Sequence, residues 1–196
     1  MEITDRVSVK AETKTGAYWS TRTILQALKT GNGSIPQGVT RDYPLYKVRG
    51  LILDVGRKTF SLDWLKQMSK QLSWFKLNDF QVHLSDNYIW VGEYSDDTVN
   101  TAYNGFRLES DIKKGGNNGK NKADLTSTDV WYSKADFREF IKHSRDLGVN
   151  IVPEFDMPAH SLALTNVRPD LRTPKSMTRR GNDHLNLAGK YDESLA

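Results

Sequence analysis

The 196-residue chain has the composition of a folded protein, with 37% hydrophobic and 27% charged residues. Its net charge of +4 comes from 28 basic and 24 acidic residues that are scattered along the chain, so the sequence predicts no nucleic-acid-binding surface. Cysteine is absent, which excludes a disulfide scaffold, a cysteine metal site and a thiol nucleophile. The sequence predicts no membrane-spanning helix, and it carries no recognisable secretory signal.

The first residues predict the end of a small accessory α/β domain. Polar and apolar residues alternate over Arg6–Ala11, as is typical of a half-buried strand. We expect a helix capped by Ser20 or Thr21 to follow, because apolar residues recur at helical spacing after these hydroxyl side chains. Residues 1–35 are therefore assigned to the accessory domain, and residues 36–47 to a linker.

From residue 48 onward, strands and helices alternate, which is typical of an α/β protein with a parallel sheet or barrel. The segment Ser85–Tyr132 shows no regular period, and its position after the end of a strand predicts a functional loop. Short apolar runs, suited to strands covered on both faces, and capped apolar stripes predict the other elements. These are strands at Leu51–Val55, Phe80–Leu84 and Val149–Pro153, and helices that begin after Ser61 and Ser133.

Polar side chains gather at or just after the end of each predicted strand. Because the carboxyl ends of parallel strands meet at one rim, where barrel active sites are built, we expect these side chains to form a binding or catalytic site. A carboxylate at the tip of an apolar strand is costly unless it is paired or binds something. The residues are Asp54 and Arg57 after the first strand, His83, Asp86 and Asn87 after the second, and Glu154, Asp156 and His160 after the third.

Two other kinds of site use the same residue types. Histidine and carboxylate side chains are ligands that zinc or manganese accepts, but the HxH and HExxH spacings are absent, so the sequence predicts no metal site. A serine nucleophile is also disfavoured, because Ser161 follows His160 without the GxSxG elbow that would present it.

Four segments together resemble, in order, the family-20 glycoside hydrolases, the β-N-acetylhexosaminidases. The resemblance implies the first three or so βα units of a (β/α)8 barrel, since a complete barrel takes roughly 250 residues. It is closest to the surface-attached exo-hexosaminidases of Gram-positive bacteria, which implies a secreted or cell-surface protein. The segments are Gly16–Gln26, from the end of the small domain, and the barrel motifs Arg49–Lys58 (RGLILDVGRK), Asn78–Asn87 (NDFQVHLSDN) and Val152–His160 (VPEFDMPAH).

The resemblance also implies a role for each matched residue. The family's arginine that grips the hydroxyls of the terminal sugar corresponds to Arg49, and Asn87 stands where many relatives have a second aspartate. The implied network behind the catalytic acid consists of Asp86, Asp156 and His160. The implied substrate-binding residues are Arg49, Asp86, Asn87, Glu154 and His160, with His83 and Glu154 in supporting positions.

The resemblance implies retaining hydrolysis in which the substrate's own 2-acetamido oxygen attacks the anomeric carbon, without metal or organic cofactor. The adjacent Asp-Glu pair that serves this reaction is expected beyond Ala196. Asp192 and Glu193 are predicted to be ordinary acidic residues near a helix start, because no apolar strand precedes them. The expected partners are a glycan with a terminal N-acetylhexosamine and the rest of the barrel. A non-catalytic carbohydrate-binding barrel is the alternative.

Overall fold

The structure, a computed structural model, describes residues 1–112, 125–178 and 182–195, so the Gly/Asn-rich part of the predicted loop lies outside the described residues. It is a mixed α/β chain. The strands are β1 (Glu2–Ile3), β2 (Val7–Ser8), β3 (Gly38–Val39), β4 (Gly50–Asp54), β5 (Asp79–Asn87), β6 (Asn104–Phe106) and β7 (Asn150–Phe155). The helices are α1 (Lys14–Thr30), α2 (Leu62–Trp74), α3 (Lys134–Asp146), α4 (Leu162–Val167) and α5 (Tyr191–Leu195).

The amino-terminal part differs from its prediction at both elements. The strand expected over Arg6–Ala11 is reduced to β2, which pairs with β1 in a small antiparallel sheet of order β2-β1-β3. Strand β3 pairs with β1, so residues 38 and 39 of the predicted linker belong to this sheet. The assigned domain boundaries stay predictions.

Helix α1 begins at Thr13, whose Oγ1 accepts a hydrogen bond from the Gly16 amide at 2.9 Å. The predicted caps were wrong because Ser20 and Thr21 lie inside the helix. Their hydroxyls donate to the carbonyls of Ala17 and Tyr18 instead, at 2.6 Å each. A hydroxyl side chain marks a helix start only where free amides follow it.

The larger sheet holds the three predicted strands, and all three are confirmed as parallel strands with β5 in the middle. Both predicted helix starts are also confirmed. Ser61 accepts from the Trp64 amide at 3.2 Å, and Ser133 from the Asp136 amide at 3.0 Å. The short strand β6, which the sequence did not predict, pairs antiparallel with Ser85–Asn87 at the end of β5.

One face of this sheet is packed and the other is open. Helices α2 and α3 cover the packed face, where Phe140 lies edge-on to Phe80 with ring centroids 6.3 Å apart. On the opposite face Ile52 is 55% exposed and Val152 is 38% exposed, so this face of the sheet is uncovered within the described residues. The core consists of Val55, Leu65, Leu72, Phe80, Val82, Leu84, Tyr132, Phe137, Phe140, Val149 and Ile151.

The open face carries matched rows of side chains because the strands are in parallel register. Ile52, Gln81 and Val152 form one row, and Asp54, His83 and Glu154 form the next row at the carboxyl ends. The sheet thus brings one polar residue from each strand to the same edge. Among the described helices, none is both long enough and apolar enough to cross a membrane.

Replacing Phe140 by alanine should lower the free energy of unfolding by about 3–5 kcal/mol, because the ring is fully buried and its loss leaves a cavity. The matched control is Phe75→Ala, whose ring is 66% exposed and whose loss should change stability by about 0.5 kcal/mol or less. Urea unfolding of both variants tests this. Equal losses would show that α3 does not seal the core as described.

Candidate functional site

The candidate site begins at the polar row on the open face. Asp54 of β4, His83 of β5 and Glu154 of β7 occupy neighbouring register positions. Strand β5 then shifts register against β7 after His83 and continues to Asn87. This extension carries Asp86 past the ends of the neighbouring strands, into the polar cluster that follows them.

The Asp86 carboxylate is the centre of this cluster and is only 2% exposed. Its Oδ2 lies 2.7 Å from His83 Nε2 and 2.7 Å from Arg57 Nη1. Its Oδ1 accepts from the Asn87 amide at 2.7 Å and lies 3.0 Å from His160 Nδ1. Each carboxylate oxygen therefore has two polar neighbours within 3.0 Å, which suits an ionised aspartate.

Arg57 joins β4 to this centre. Its backbone amide donates to Asp54 Oδ1 at 2.9 Å, and its Nη1 donates to Asp54 Oδ2 at 2.8 Å as well as pairing with Asp86. Its Nε donates to the Asn87 carbonyl at 3.1 Å. The side chain remains 33% exposed, so the guanidinium lies between a buried carboxylate and the open side of the site.

His160 reaches the cluster from the segment after β7. Its backbone has a φ of 57°, in the left-handed region that costs a non-glycine residue of order 1–3 kcal/mol. The Asp183 carboxylate offsets this strain by accepting from the His160 amide at 2.9 Å. The ring Nδ1 lies between Asp86 and Arg57 Nη2, 3.2 Å away. A protonated Nδ1 donates to Asp86, whereas an unprotonated Nδ1 accepts from the guanidinium.

The surroundings of Asp86 shift two pKa values in opposite directions. Burial raises the pKa of Asp86, but the hydrogen bonds from His83 and the Asn87 amide, with the charges of His160 and Arg57, outweigh burial and lower it below 3.8. The hydrogen bond to Asp86 raises the pKa of His83 above 6.5 against the effect of burial. The carboxylate and the imidazolium thus stabilise each other's charged form.

Glu154 belongs to the same cluster on the side of β7. Its Oε2 accepts from the Gln81 amide at 2.6 Å and lies 3.3 Å from His83 Nδ1. Its side chain is 29% exposed, so it borders the open face. The structure therefore brings together seven of the eight residues predicted from strand ends, all but Asp156: Asp54, Arg57, His83, Asp86, Asn87, Glu154 and His160.

Asn87 is buried and holds two segments together, while its implied substrate-binding role stays a prediction. It is 1% exposed; its Nδ2 donates to Asp183 Oδ2 at 3.2 Å, and its Oδ1 accepts from the Leu162 amide at 3.3 Å. The side chain ties the end of β5 to the start of α4. Asp183, which no sequence pattern marked, holds both Asn87 and His160.

Arg49 is corrected because it lies at the opposite end of β4 from the cluster. Its Nε donates to the Lys76 carbonyl at 2.9 Å and its Nη1 to the Tyr46 carbonyl at 2.7 Å. The guanidinium thus ties the entry of β4 to the end of α2. Asp156 is half-buried in the segment between β7 and His160, and within the described ranges its carboxylate makes no hydrogen bond or ion pair with the cluster.

Sequence reasoning also missed Arg107, which follows β6 and is fully buried. Its Nε donates to the Val55 carbonyl and its Nη2 to the Gly56 carbonyl, at 2.8 Å each. Its Nη1 pairs with Asp129 at 2.6 Å. These bonds fix the two residues between Asp54 and Arg57. The segment 85–132 has no period that could have marked this arginine.

The cluster also contains a group of possible metal ligands, since Asp54, His83 and Asp86 each place one ligand atom within 4.8 Å of the others. Arg57 Nη1 already contacts both carboxylates, at 2.8 and 2.7 Å. A divalent cation would have to displace this guanidinium, so the residues fit an arginine better than a metal. The absence of a metal and of any other cofactor stays a prediction.

Replacing Asp86 by asparagine should lower the free energy of unfolding at pH 7 by about 3 kcal/mol, because the buried charges of Arg57 and His83 lose their partner. The lowered pKa makes the contribution of Asp86 fully present above pH 3.8 and lost as the pH falls through the folded-state pKa. The difference between wild type and variant should therefore shrink in acid. Denaturant unfolding across this range measures it.

The control for this series is Asp63→Asn, because the Asp63 side chain is 94% exposed and pairs loosely with Lys66 at 4.0 Å. It should change stability by about 0.5 kcal/mol or less at every pH. A pH-independent loss in Asp86→Asn, or the same loss in both variants, would contradict the described network.

The amino-acid sequence of the chain is similar to those of known proteins. Residues 46–192 match the model of glycosyl hydrolase family 20, catalytic domain. The chain is 30% identical over 175 residues to a beta-hexosaminidase of Emericella nidulans, covering 85% of this chain and 25% of that protein. It is 29% identical over 169 residues to a beta-N-acetylhexosaminidase of Cellulomonas fimi, covering 85% and 31%.

A solved structure supports the same assignment. The beta-N-acetylhexosaminidase from Bacteroides fragilis NCTC 9343 superposes with a TM-score of 0.69 at 25% sequence identity, over 99% of this chain and 37% of that one. The chain spans less than a third of the length of the two curated relatives, 25% and 31%. Since the family model covers most of the sequence, the chain belongs to glycosyl hydrolase family 20.

Proposed function

We propose that the protein that carries this chain is an exo-β-N-acetylhexosaminidase, which releases terminal β-linked GlcNAc or GalNAc from glycans with retention at C1. The observation that carries the proposal is the buried Asp86 carboxylate held between Arg57 and two histidines at the open rim of the sheet. Membership of family 20 supplies the reaction class. The named activities of the relatives, beta-hexosaminidase and beta-N-acetylhexosaminidase, agree with it.

We infer that β4, β5 and β7 are the first three strands of a (β/α)8 barrel. Their helices cover one face, as the outer ring of such a barrel does. Ile52, Gln81 and Val152 on the other face are the kind of inward layer that further strands complete. The rim cluster then lies at the carboxyl ends of the strands, where barrel enzymes build their active sites.

In this proposal Arg57, rather than Arg49, grips the hydroxyls of the terminal sugar. Guanidinium has five N–H donors; Nη1 donates to Asp54 and pairs with Asp86, while Nε donates to the Asn87 carbonyl. Nη2 keeps a donor for a ligand on the open side. Because Asp86 and Asp54 fix the guanidinium plane, this donor is already oriented when the sugar arrives.

Asp86 and His160 act behind the catalytic acid in the proposed reaction. The acetamido oxygen of the substrate attacks C1, an aspartate orients the acetamide, and a neighbouring glutamate protonates the departing oxygen. That Asp-Glu pair is proposed to lie beyond Ala196. Asp192 and Glu193 do not fit it, because they lie in the first turn of α5, where Glu193 pairs with Lys190 at 3.4 Å. A raised pKa of the acid needs charged neighbours of the kind this cluster supplies.

The remaining proposals rest on the resemblance. The substrate is a glycan with a terminal N-acetylhexosamine, no cofactor takes part, and the protein acts outside the cell or on its surface. Asp156 is proposed to complete the pocket wall, since it is half-buried in the segment between β7 and His160.

The test compares two arginines in the full-length protein with an aryl N-acetyl-β-glucosaminide as substrate. Arg57→Ala should lower kcat/KM by about 2–4 kcal/mol, roughly 30- to 1,000-fold, because it removes a charged donor and leaves Asp86 underpaired. Arg49→Ala is the matched control and should stay within roughly threefold of wild type once folding is verified, because its guanidinium contacts only main-chain carbonyls at the other end of β4.

Two results would overturn these assignments. A larger loss in Arg49→Ala would return the sugar-binding role to Arg49. A folded full-length protein that binds N-acetylglucosamine without hydrolysing the aryl substrate would favour the carbohydrate-binding alternative over the enzyme.

A further inference from the structure

His83 is a buried histidine whose two ring nitrogens both face carboxylates. Nε2 lies 2.7 Å from Asp86 Oδ2, and Nδ1 lies 3.3 Å from Glu154 Oε2. The ring is only 7% exposed, so water does not separate it from these partners. A neutral imidazole has one N–H donor and one bare nitrogen, and a bare nitrogen cannot bond an ionised carboxylate. If both carboxylates are ionised, one proton beyond that of a neutral imidazole is therefore needed.

The contacts of the two carboxylates indicate where that proton lies. Asp86 Oδ2 lies against His83 Nε2 and Arg57 Nη1, and its Oδ1 accepts from the Asn87 amide and lies 3.0 Å from His160 Nδ1. Glu154 Oε2, the oxygen that faces the ring, accepts from the Gln81 amide at 2.6 Å. Polar groups thus already surround both facing oxygens, which favours a second proton on the ring of His83.

The charges around the ring favour the same state. Three carboxylates face His83: Asp54 from β4, Asp86 from β5 and Glu154 from β7. The positive charge of Arg57 is shared between Asp54 and Asp86, and His160 meets the cluster through the other oxygen of Asp86. With three carboxylates and a single guanidinium around it, a neutral His83 would leave the cluster with a net negative charge, which is costly away from water.

We infer that His83 is an imidazolium throughout the neutral pH range and acts as a positioning residue that links Glu154 to Asp86. Its charge keeps Asp86 ionised, and ionised Asp86 holds Arg57 and His160 on the open side of the site. The hydrogen bond to Asp86, opposed by burial, raises the pKa of His83 in agreement with this assignment. The protonation state stands on the geometry alone, whereas its effect on turnover rests on the proposed function.

The protonation state is tested by NMR on the full-length protein with ¹⁵N-labelled histidine. We expect both ring nitrogens of His83 to give the signal of protonated nitrogen at pH 7, and to keep it at pH values at which a free histidine has lost its proton. The signal is assigned by its loss in His83→Gln or, if that variant does not fold, by its perturbation in Glu154→Gln. A neutral tautomer at pH 7 would overturn the inference.

The kinetic consequence is tested by His83→Gln, which keeps a hydrogen-bond donor but removes the charge. Without the His83 cation the pKa of Asp86 rises, so the acid limb of the kcat/KM profile should move up by about one pH unit. His143→Gln, on α3 away from the cluster, is the matched control and should leave the profile unmoved. A uniform loss in His83→Gln with an unmoved acid limb would reduce His83 to a packing role.

The two measurements separate the two claims. If the full-length protein has no hexosaminidase activity but His83 is doubly protonated, the proposed function fails and the inference about His83 stands. If the protein is active and His83 is neutral, the function stands and the inference fails.

Discussion

The burial of one negative charge, on Asp86, governs the arrangement of this site. Moving an ionised carboxylate out of water costs several kcal/mol even after the protein relaxes, unless cations and hydrogen bonds replace the lost hydration. Asp86 is 2% exposed and has four polar neighbours within 3.0 Å, from three different parts of the chain. Each of these groups must therefore reach the carboxyl end of β5, which fixes how the segments after β4 and β7 leave the sheet.

The backbone around the rim is held closely enough to keep that arrangement. A side-chain carbon on Gly56 would lie 2.7 Å from the Asp86 amide, and one on Gly105 would lie 2.3 Å from the Gly56 carbonyl. The exit of β4 is thus in direct contact with both β5 and β6. Arg107 holds the exit of β4 in place by donating hydrogen bonds to the carbonyls of Val55 and Gly56. Pre-organised partners are what lets a charged site act without rearranging when a ligand binds.

Local patterns in the sequence predicted the elements that depend on local chemistry. The caps at Ser61 and Ser133 and the three parallel strands were predicted correctly, because capping and apolar runs involve residues close in sequence. The cap at Thr13 was missed because hydroxyl side chains later in the sequence fit the same pattern. Strand β6 was missed because it forms only by pairing with the end of β5. The domain boundaries around residue 36 remain a prediction.

The site shows the same limit. Strand-end reasoning found Asp86, His160 and Arg57, because carboxyl ends of parallel strands converge whatever the loops do. The resemblance chose Arg49 instead of Arg57, since the two arginines flank one strand eight positions apart and only the strand direction distinguishes their ends. Asp183 and Arg107 act through main-chain contacts that leave no recognisable pattern in the sequence.

The central claim is that the rim cluster around Asp86 receives the terminal sugar. The most direct measurement is a crystal structure of the full-length protein with N-acetylglucosamine bound. The account predicts that Arg57 Nη2 donates to a sugar hydroxyl at about 2.7–3.2 Å, while Asp86 keeps its contacts with Arg57 and His83. A sugar bound away from this cluster, or one whose hydroxyls contact Arg49 instead of Arg57, would contradict it.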